Sequence, residues 1–400
     1  MSQKPTSPFS HAQLLPQSEM LEVQRRKGKL VIGIPRETHF QEKRVCLTPD
    51  AVAALTANGH QFVIETDAGE GANFSDAQYS EAGAKIAFSN KEVFGCNMIL
   101  KVEPPSLKEI ELMNPQTVLF SALQIKTQEK KYFEELSKKR ITALAYDYIK
   151  DEYGSYPIVQ ASSEIAGIAA IHIASELMCN VHKGKGLLLG NINGVPPTNI
   201  VIFGAGTVAE FAARTALGMG ATVKVFDNSI VKLRNLQKSL GQSIYTSTLQ
   251  PKTMEKSLKR CDVAIGALRG NLRAPVVVTE EMVKRMKDGA VIVDVSIDRG
   301  GCFETSSLTS HTESTFVKHG IVHYCVPNIP SRYARTASFS ISNLISPTLQ
   351  HIAEEGGFEH VIRFDKGLQA GMYLFNGILT HKTVSDWFDL PYRDINLLFL

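Results

Sequence analysis

Cysteine is scarce and scattered in this 400-residue chain: six residues, at positions 46, 96, 179, 261, 302 and 325, with no C-x-x-C pair and no metal-ligand spacing to histidine. That pattern excludes a disulfide framework and a cysteine-held zinc site, so reduced thiols and no metal are expected. A dominant charge is lacking as well. Lys and Arg total 43 against 40 Asp and Glu, and the two signs are interspersed, whereas a nucleic-acid or membrane-surface footprint needs basic residues in clusters. No stretch reads as the roughly 20 apolar residues that cross a bilayer, and the start of the chain lacks the basic-then-apolar order of a signal peptide. A cytoplasmic protein without nucleic-acid or membrane partners is the expectation.

What is present is alternation. Strand-like apolar runs at 30–34, 61–65, 98–102, 117–120, 141–145, 263–266, 291–296 and 321–324 are separated by helical patterns at 50–57 and 162–178, among others. Strand and helix taking turns predicts a parallel sheet covered by helices on both faces. Helical segments are also expected at 339–353 and 368–387, too few elements for a third domain. The expected fold is therefore α/β, with two doubly wound, Rossmann-like parallel-sheet domains and a cleft between them. The boundaries expected are an N-terminal arm over 1–28, with a short helix over 18–26 as one form it can take, a discontinuous substrate domain over 29–157 plus 335–400, and a dinucleotide domain over 158–334.

The dinucleotide assignment rests on the stretch 199–228. An apolar strand runs into Gly204-Ala205-Gly206, small residues then recur at helical spacing from Ala209, and a second apolar run ends on Asp227. Gly204 permits the sharp exit from the strand, Gly206 lets a pyrophosphate approach the backbone, and Ala209 allows the helix to pack closely on the sheet. The helix N-terminus offers unpaired N–H groups to the anion. Asp227 stands where a carboxylate accepts from the adenosine ribose hydroxyls, which favours NAD over NADP because it would repel a 2′-phosphate.

In such sheets ligands bind at the carboxyl ends of strands. Arg44 follows the first strand, Lys101 ends another beside Glu103-Pro104-Pro105, Gln124 follows a third and Asp298 a fourth. Arg44 and Lys101 are suited to hold a substrate carboxylate, one as a bidentate fork and the other as a point charge. The alternative for either cation is a solvated surface charge, but Lys101 interrupts an apolar run where an unpaired charge is costly to bury. Asp298 has two readings, orienting a water or the nicotinamide ribose, or capping its loop. Cys302 reads as a small packing residue before it reads as a nucleophile.

The chain resembles the alanine dehydrogenase / pyridine nucleotide transhydrogenase family. Gly33-Ile34-Pro35-Arg36-Glu37 and the run from Gln41 to Pro49 are similar to its N-terminal signature, with Gln41 replacing the usual Asn and Cys46 the usual Ala, and residues 202–227 resemble its second signature throughout. The resemblance implies NAD-dependent conversion of L-alanine to pyruvate and ammonium, reversibly. It also implies that Arg44 and Lys101 grip the substrate carboxylate, that Asp298 assists water, that Ser163, Asp227 and Asn328 contact the cofactor, and that the assembly is a homohexamer. One departure stands out. Where the family carries a catalytic histidine this chain has Gln124, which cannot take a proton near neutral pH. The alternatives it opens are a changed substrate, a non-catalytic NAD(H)-binding paralogue, or a base from elsewhere, for which His39 is the candidate. Arg299 stands where the family usually has Gln.

Overall fold

The computed structural model describes residues 28–270 and 273–399. The arm expected before Gly28, including the helix considered at 18–26, lies outside the described residues.

Fifteen strands in the described residues form two sheets. Strands β1 (Val31–Ile34), β2 (Gln61–Glu65), β3 (Lys85–Ala87), β4 (Met98–Leu100), β5 (Val118–Ser121) and β6 (Thr142–Ala145) belong to the first. Strands β7 (Asn199–Phe203), β8 (Thr222–Phe226), β9 (Tyr245–Ser247), β10 (Val263–Gly266), β11 (Val291–Asp294), β12 (Thr315–Lys318) and β13 (Ile321–Tyr324) make the second. The last two, β14 (Met372–Phe375) and β15 (Ile378–Leu379), return to the first sheet, whose order is β15-β14-β6-β5-β4-β1-β2-β3. The second sheet runs β12-β13-β11-β10-β7-β8-β9. Pairing is parallel except at β14–β15, β6–β14 and β12–β13. Strands β4, β6, β10 and β11 are buried at every position, as sequences covered on both faces must be, and they read as continuous apolar runs for that reason.

Each sheet has one place where the strand order reverses direction. In the first it lies between β4 and β1, in the second between β10 and β7. These switch points open crevices at the carboxyl ends of the strands, because the flanking connections leave to opposite sides.

Several expected elements differ in extent. The long apolar helix begins at Pro157, five residues before the expected start, with proline in its first turn where the missing N–H costs nothing. It also corrects the reading that no stretch is long and apolar enough for a bilayer: Pro157–Met178, with 22 residues, qualifies by length and composition. Here many of its small and branched residues are packed inside the protein, although Ile168 is exposed. Ala166, Gly167, Ala170 and Ile173 are buried, and the helix packs on Thr207–Gly218 and on β11. A Cβ at Gly167 would lie 2.4 Å from the Val208 carbonyl oxygen, so the close crossing needs glycine.

Helix over 368–387 is not observed as one piece. The segment holds the end of a short helix, Lys366–Gly371, then the β14–β15 hairpin, then helix Lys382–Phe388. The reason is the dipeptide Asn376-Gly377, with φ of 48° and 80°, which forms the tight turn that joins two antiparallel strands. Likewise β11 stops at Asp294, whose carboxylate accepts from the Ser296 N–H at 3.0 Å and turns the chain into the 3-10 segment Val295–Arg299.

Candidate active site

The loop after β1 and the loop after β4 flank the first switch point, and each contributes a cation and carboxylates. Arg44 is buried. Its Nε donates to Glu42 Oε1 at 2.8 Å and its Nη2 to Glu42 Oε2 at 2.6 Å, a bidentate fork closed by a residue two positions away. The same Nη2 lies 3.4 Å from Glu103 Oε1, so two carboxyls converge on one guanidinium. Burial alone would raise Glu42, but Arg44 outweighs it and holds that carboxyl well below the usual range. Glu103 moves the other way, raised first by burial and then by the charge of Glu42.

Lys101 is fully buried, as its place in an apolar run foretells, and it is paired: its Nζ lies 3.2 Å from Glu37 Oε2 and 3.1 Å from Glu109 Oε1. Glu109 belongs to a capping box, receiving the Ser106 N–H while the Ser106 side chain accepts from the Glu109 N–H. Glu37 Oε1 accepts from the Val102 N–H at 2.6 Å. The two cations expected to share one carboxylate are thus held by separate internal carboxylates, Arg44 at the mouth and Lys101 behind it.

Gln124, after β5, has a left-handed backbone and donates from Nε2 to Glu103 Oε2. His39 is exposed, with Nε2 3.1 Å from the Pro104 carbonyl oxygen. A carbonyl only accepts, so that nitrogen carries the proton in this contact.

The second sheet meets this cluster through Asn328. Its N–H donates to Asp298 Oδ1 at 2.9 Å and its Nδ2 to Glu42 Oε2 at 2.8 Å. Ser331 Oγ reinforces the junction by donating to the Gln41 carbonyl at 2.8 Å, and the His311 N–H donates to Gln41 Oε1 at 2.7 Å. Asp298 is open to solvent, yet the surrounding protein strips enough water from it to raise its carboxyl, against the pull of the Asn328 N–H, Arg44 and Arg299.

From Asp298 the chain of contacts runs back to the glycine turn. Ser296 Oγ accepts from the Leu268 N–H at 2.9 Å, and Ala267 packs on Gly204, where a Cβ would sit 2.4 Å from its carbonyl oxygen at a φ of +116°. A Cβ on Gly206 would meet nothing within 4 Å. The space beside this second glycine is open, as a pyrophosphate requires, and the helix starting at Thr207 directs its free N–H groups there. Asp227, at the end of β8, accepts from the Ala205 N–H at 2.9 Å and the Ser229 N–H at 2.7 Å, which fixes it beside the turn. Ala209 is fully buried under the sheet. Ser163 donates to the Val159 carbonyl of its own helix at 2.7 Å. Cys302 is buried with Sγ near Asp294, a packing residue.

Glu37, Glu42, Glu103 and Glu109 are the residues that reading the sequence missed. Glu103 carried a signal in its place just past a strand, and Glu37 and Glu42 lie within the stretches that carry the family resemblance; Glu109 carried none.

A turn suited to a dinucleotide at one switch point, joined to a cation-and-carboxylate cluster at the other, is the architecture of a pyridine-nucleotide-linked oxidoreductase. Family models agree with it: the alanine dehydrogenase/PNT N-terminal domain matches residues 33–166, and the C-terminal domain matches residues 170–382. The chain belongs to the alanine dehydrogenase/PNT family. It is 37% identical over 366 residues to an alanine dehydrogenase of Staphylococcus epidermidis, covering 91% of this chain and 98% of that one, and 35% identical over the same length to alanine dehydrogenase 2 of Staphylococcus aureus. Among solved structures it is similar to an L-alanine dehydrogenase, with a TM-score of 0.84 at 34% identity over 90% of this chain and 99% of that one. A transhydrogenase from Sinorhizobium meliloti shares the fold at a TM-score of 0.76 and 22% identity, over 88% of this chain and 99% of that one.

Proposed function

We propose that this protein catalyses the reversible, NAD-dependent oxidative deamination of L-alanine to pyruvate and ammonium. One observation carries the reading: Asn328 ties the Arg44 cluster of one sheet to Asp298 of the other, so that a carboxylate-binding cation and an open carboxyl face one cleft.

Arg44 holds the substrate carboxylate, with Lys101 adding positive potential from behind. Asp298 positions the water that attacks the oxidised substrate carbon and takes its proton, a role its raised carboxyl suits. Gly204, Gly206 and Ala209 shape the pyrophosphate seat, Asp227 holds the adenosine ribose, and Ser163 and Asn328 touch the nicotinamide half. When bound there, NAD supplies the hydride acceptor. Gln124 orients Glu103 through its amide N–H and does not itself gain or lose a proton near neutral pH. The working domains are residues 29–157 with 335–400 for substrate and 158–334 for nucleotide, in a cytoplasmic homohexamer.

A screen of amino acids with NAD, followed by NADH absorbance, tests the reading. L-alanine is expected to give the highest kcat/KM, and pyruvate with ammonium to consume NADH; turnover of another amino acid but not of alanine would sink the assignment. Gly206→Val separates cofactor from fold. Because the added side chain points into open space, melting is expected to stay unchanged while NADH affinity drops by at least about tenfold, or about 1.4 kcal/mol. An unaltered affinity by fluorescence titration would move the nucleotide elsewhere.

A further inference from the structure

We infer that Glu103 is the proton-transfer residue of this chain, the carboxyl that takes a proton from the substrate ammonium group and returns it to the departing nitrogen. The inference rests on the dehydrogenase reading above and replaces the expected histidine with a residue from a different strand end.

Three observations converge on Glu103. It is only 5% exposed and lies in the loop after β4, three residues beyond the strand at the switch point. Its Oε2 accepts from the Gln124 amide, so the side chain standing where the resemblance puts a histidine points its donor at this carboxyl. Its Oε1 lies 3.4 Å from Arg44 Nη2, the guanidinium assigned to the substrate carboxylate. In an amino acid gripped there, the amino group is one carbon removed from the carboxylate and within reach of groups that border the same guanidinium.

Glu42 is the rival and is already committed. Its two oxygens accept from Arg44 Nε and Nη2, from Asn328 Nδ2 and from the Lys43 and Arg44 N–H groups, all within 3.0 Å. One guanidinium does not neutralise two buried carboxylates at this separation, so Arg44 keeps Glu42 ionised while burial and the Glu42 charge make Glu103 the readier of the two to take a proton. Facing Glu103 are Glu37, Glu42 and Arg44 from the loop after β1, Tyr146 after β6, the Gln124 amide after β5 and, across the cleft, Asp298, which feels the same arginine. Burial and the neighbouring carboxylate both raise Glu103 toward neutrality, the range in which a group gives and takes protons efficiently.

The steps balance. The reacting form has Glu103 ionised, and the ammonium proton passes to that carboxylate; bound NAD would then accept the hydride from Cα as the nitrogen lone pair closes the C=N bond. Water adds to that carbon and its proton goes to Asp298. Glu103 returns its proton to nitrogen as the C–N bond breaks, the hydroxyl proton leaves with ammonia as ammonium, and Asp298 releases one proton to solvent.

The experiment is the pH profile of L-alanine oxidation for wild type, Glu103→Gln, Glu103→Asp and the double variant Glu103→Gln/Gln124→His. Glu103→Gln is expected to lower kcat by about 10² to 10⁴ and to erase the rising low-pH limb of kcat/KM that Glu103 sets, with NADH binding unchanged. Glu103→Asp keeps a shifted limb, and the double variant regains at least about tenfold of the lost rate as the imidazole takes over. In the nucleotide-free protein, the infrared band of a protonated carboxyl near neutral pH disappears in Glu103→Gln. A Glu103→Gln enzyme with undiminished kcat and an unmoved limb overturns the inference. If that variant loses NADH binding, Glu103→Asp decides, and an unshifted limb overturns it equally. Absence of wild-type turnover on any amino acid overturns the dehydrogenase reading and this inference together, whereas wild-type turnover matched by Glu103→Gln overturns this inference alone.

Discussion

Arg44 closes its fork on Glu42 in this structure, so a substrate carboxylate enters a site already charge-matched and competes with an internal carboxylate for the guanidinium. Replacing Arg44 by Lys keeps the charge and loses the bidentate geometry. The expected outcome is a rise in the KM for L-alanine of about tenfold or more, corresponding to one charge-assisted hydrogen bond, with NADH affinity retained; an unchanged KM would place the carboxylate elsewhere. Asp147 offers a prediction on stability. Burial raises its carboxyl from 3.8 to about 6 while its Oδ1 accepts from the Leu123 N–H. The folded form binds that proton more tightly than the unfolded chain does, so stability falls as pH rises from about 4 through about 6. Asp147→Asn keeps the acceptor oxygen and removes the ionisation. Its stability relative to wild type should therefore improve by on the order of 2 kcal/mol between about pH 4 and about pH 7, and a gap independent of pH would contradict this. Arg44, Lys101 and Asp298 were legible in the sequence as charges at strand ends. Glu42, Glu37 and Glu109 were not, because a carboxylate in a polar loop or first helical turn looks like any solvated charge until topology sets β1 beside β4.

The helices that carry the nucleotide turn depend on small residues. Helix Pro157–Met178 crosses Thr207–Gly218 at Gly167, where an added methyl group meets backbone rather than a flexible side chain. Gly167→Ala is expected to destabilise the fold by about 1 to 3 kcal/mol through overpacking, despite alanine's higher helix propensity. Thermal melting checks it, and a neutral or raised Tm would mean that the crossing is looser than drawn. The Ala-rich pattern made this helix legible; the hairpin β14–β15 was not, because the apolar content of 368–387 was read as helical and the Asn376-Gly377 turn was passed over. Tyr373 is fully buried there and its hydroxyl pairs with that of Tyr132 at 3.2 Å. Truncation after Gly371 would strip this edge from β6, and loss of soluble, cooperatively melting protein is the expected result.

Across the whole molecule, function follows from two switch points brought together by a few hydrogen bonds through Gln41, Glu42, Asn328 and Ser331. The glycine turn and the alternating strands made the central parallel strands of both sheets legible from sequence, but not β3, β9, β12, β14 and β15 at or next to the sheet edges. The meeting of the sheets was not legible either, because no local pattern records which loop of one faces which loop of the other. The most direct test of the whole account is the fate of the alanine Cα hydrogen. L-alanine carrying deuterium at Cα, incubated with the protein and NAD, should yield NADH with one deuterium at the nicotinamide C4, on a single face, and a slowed single-turnover rate. NADH free of deuterium, or none formed by protein that binds the nucleotide, would contradict it.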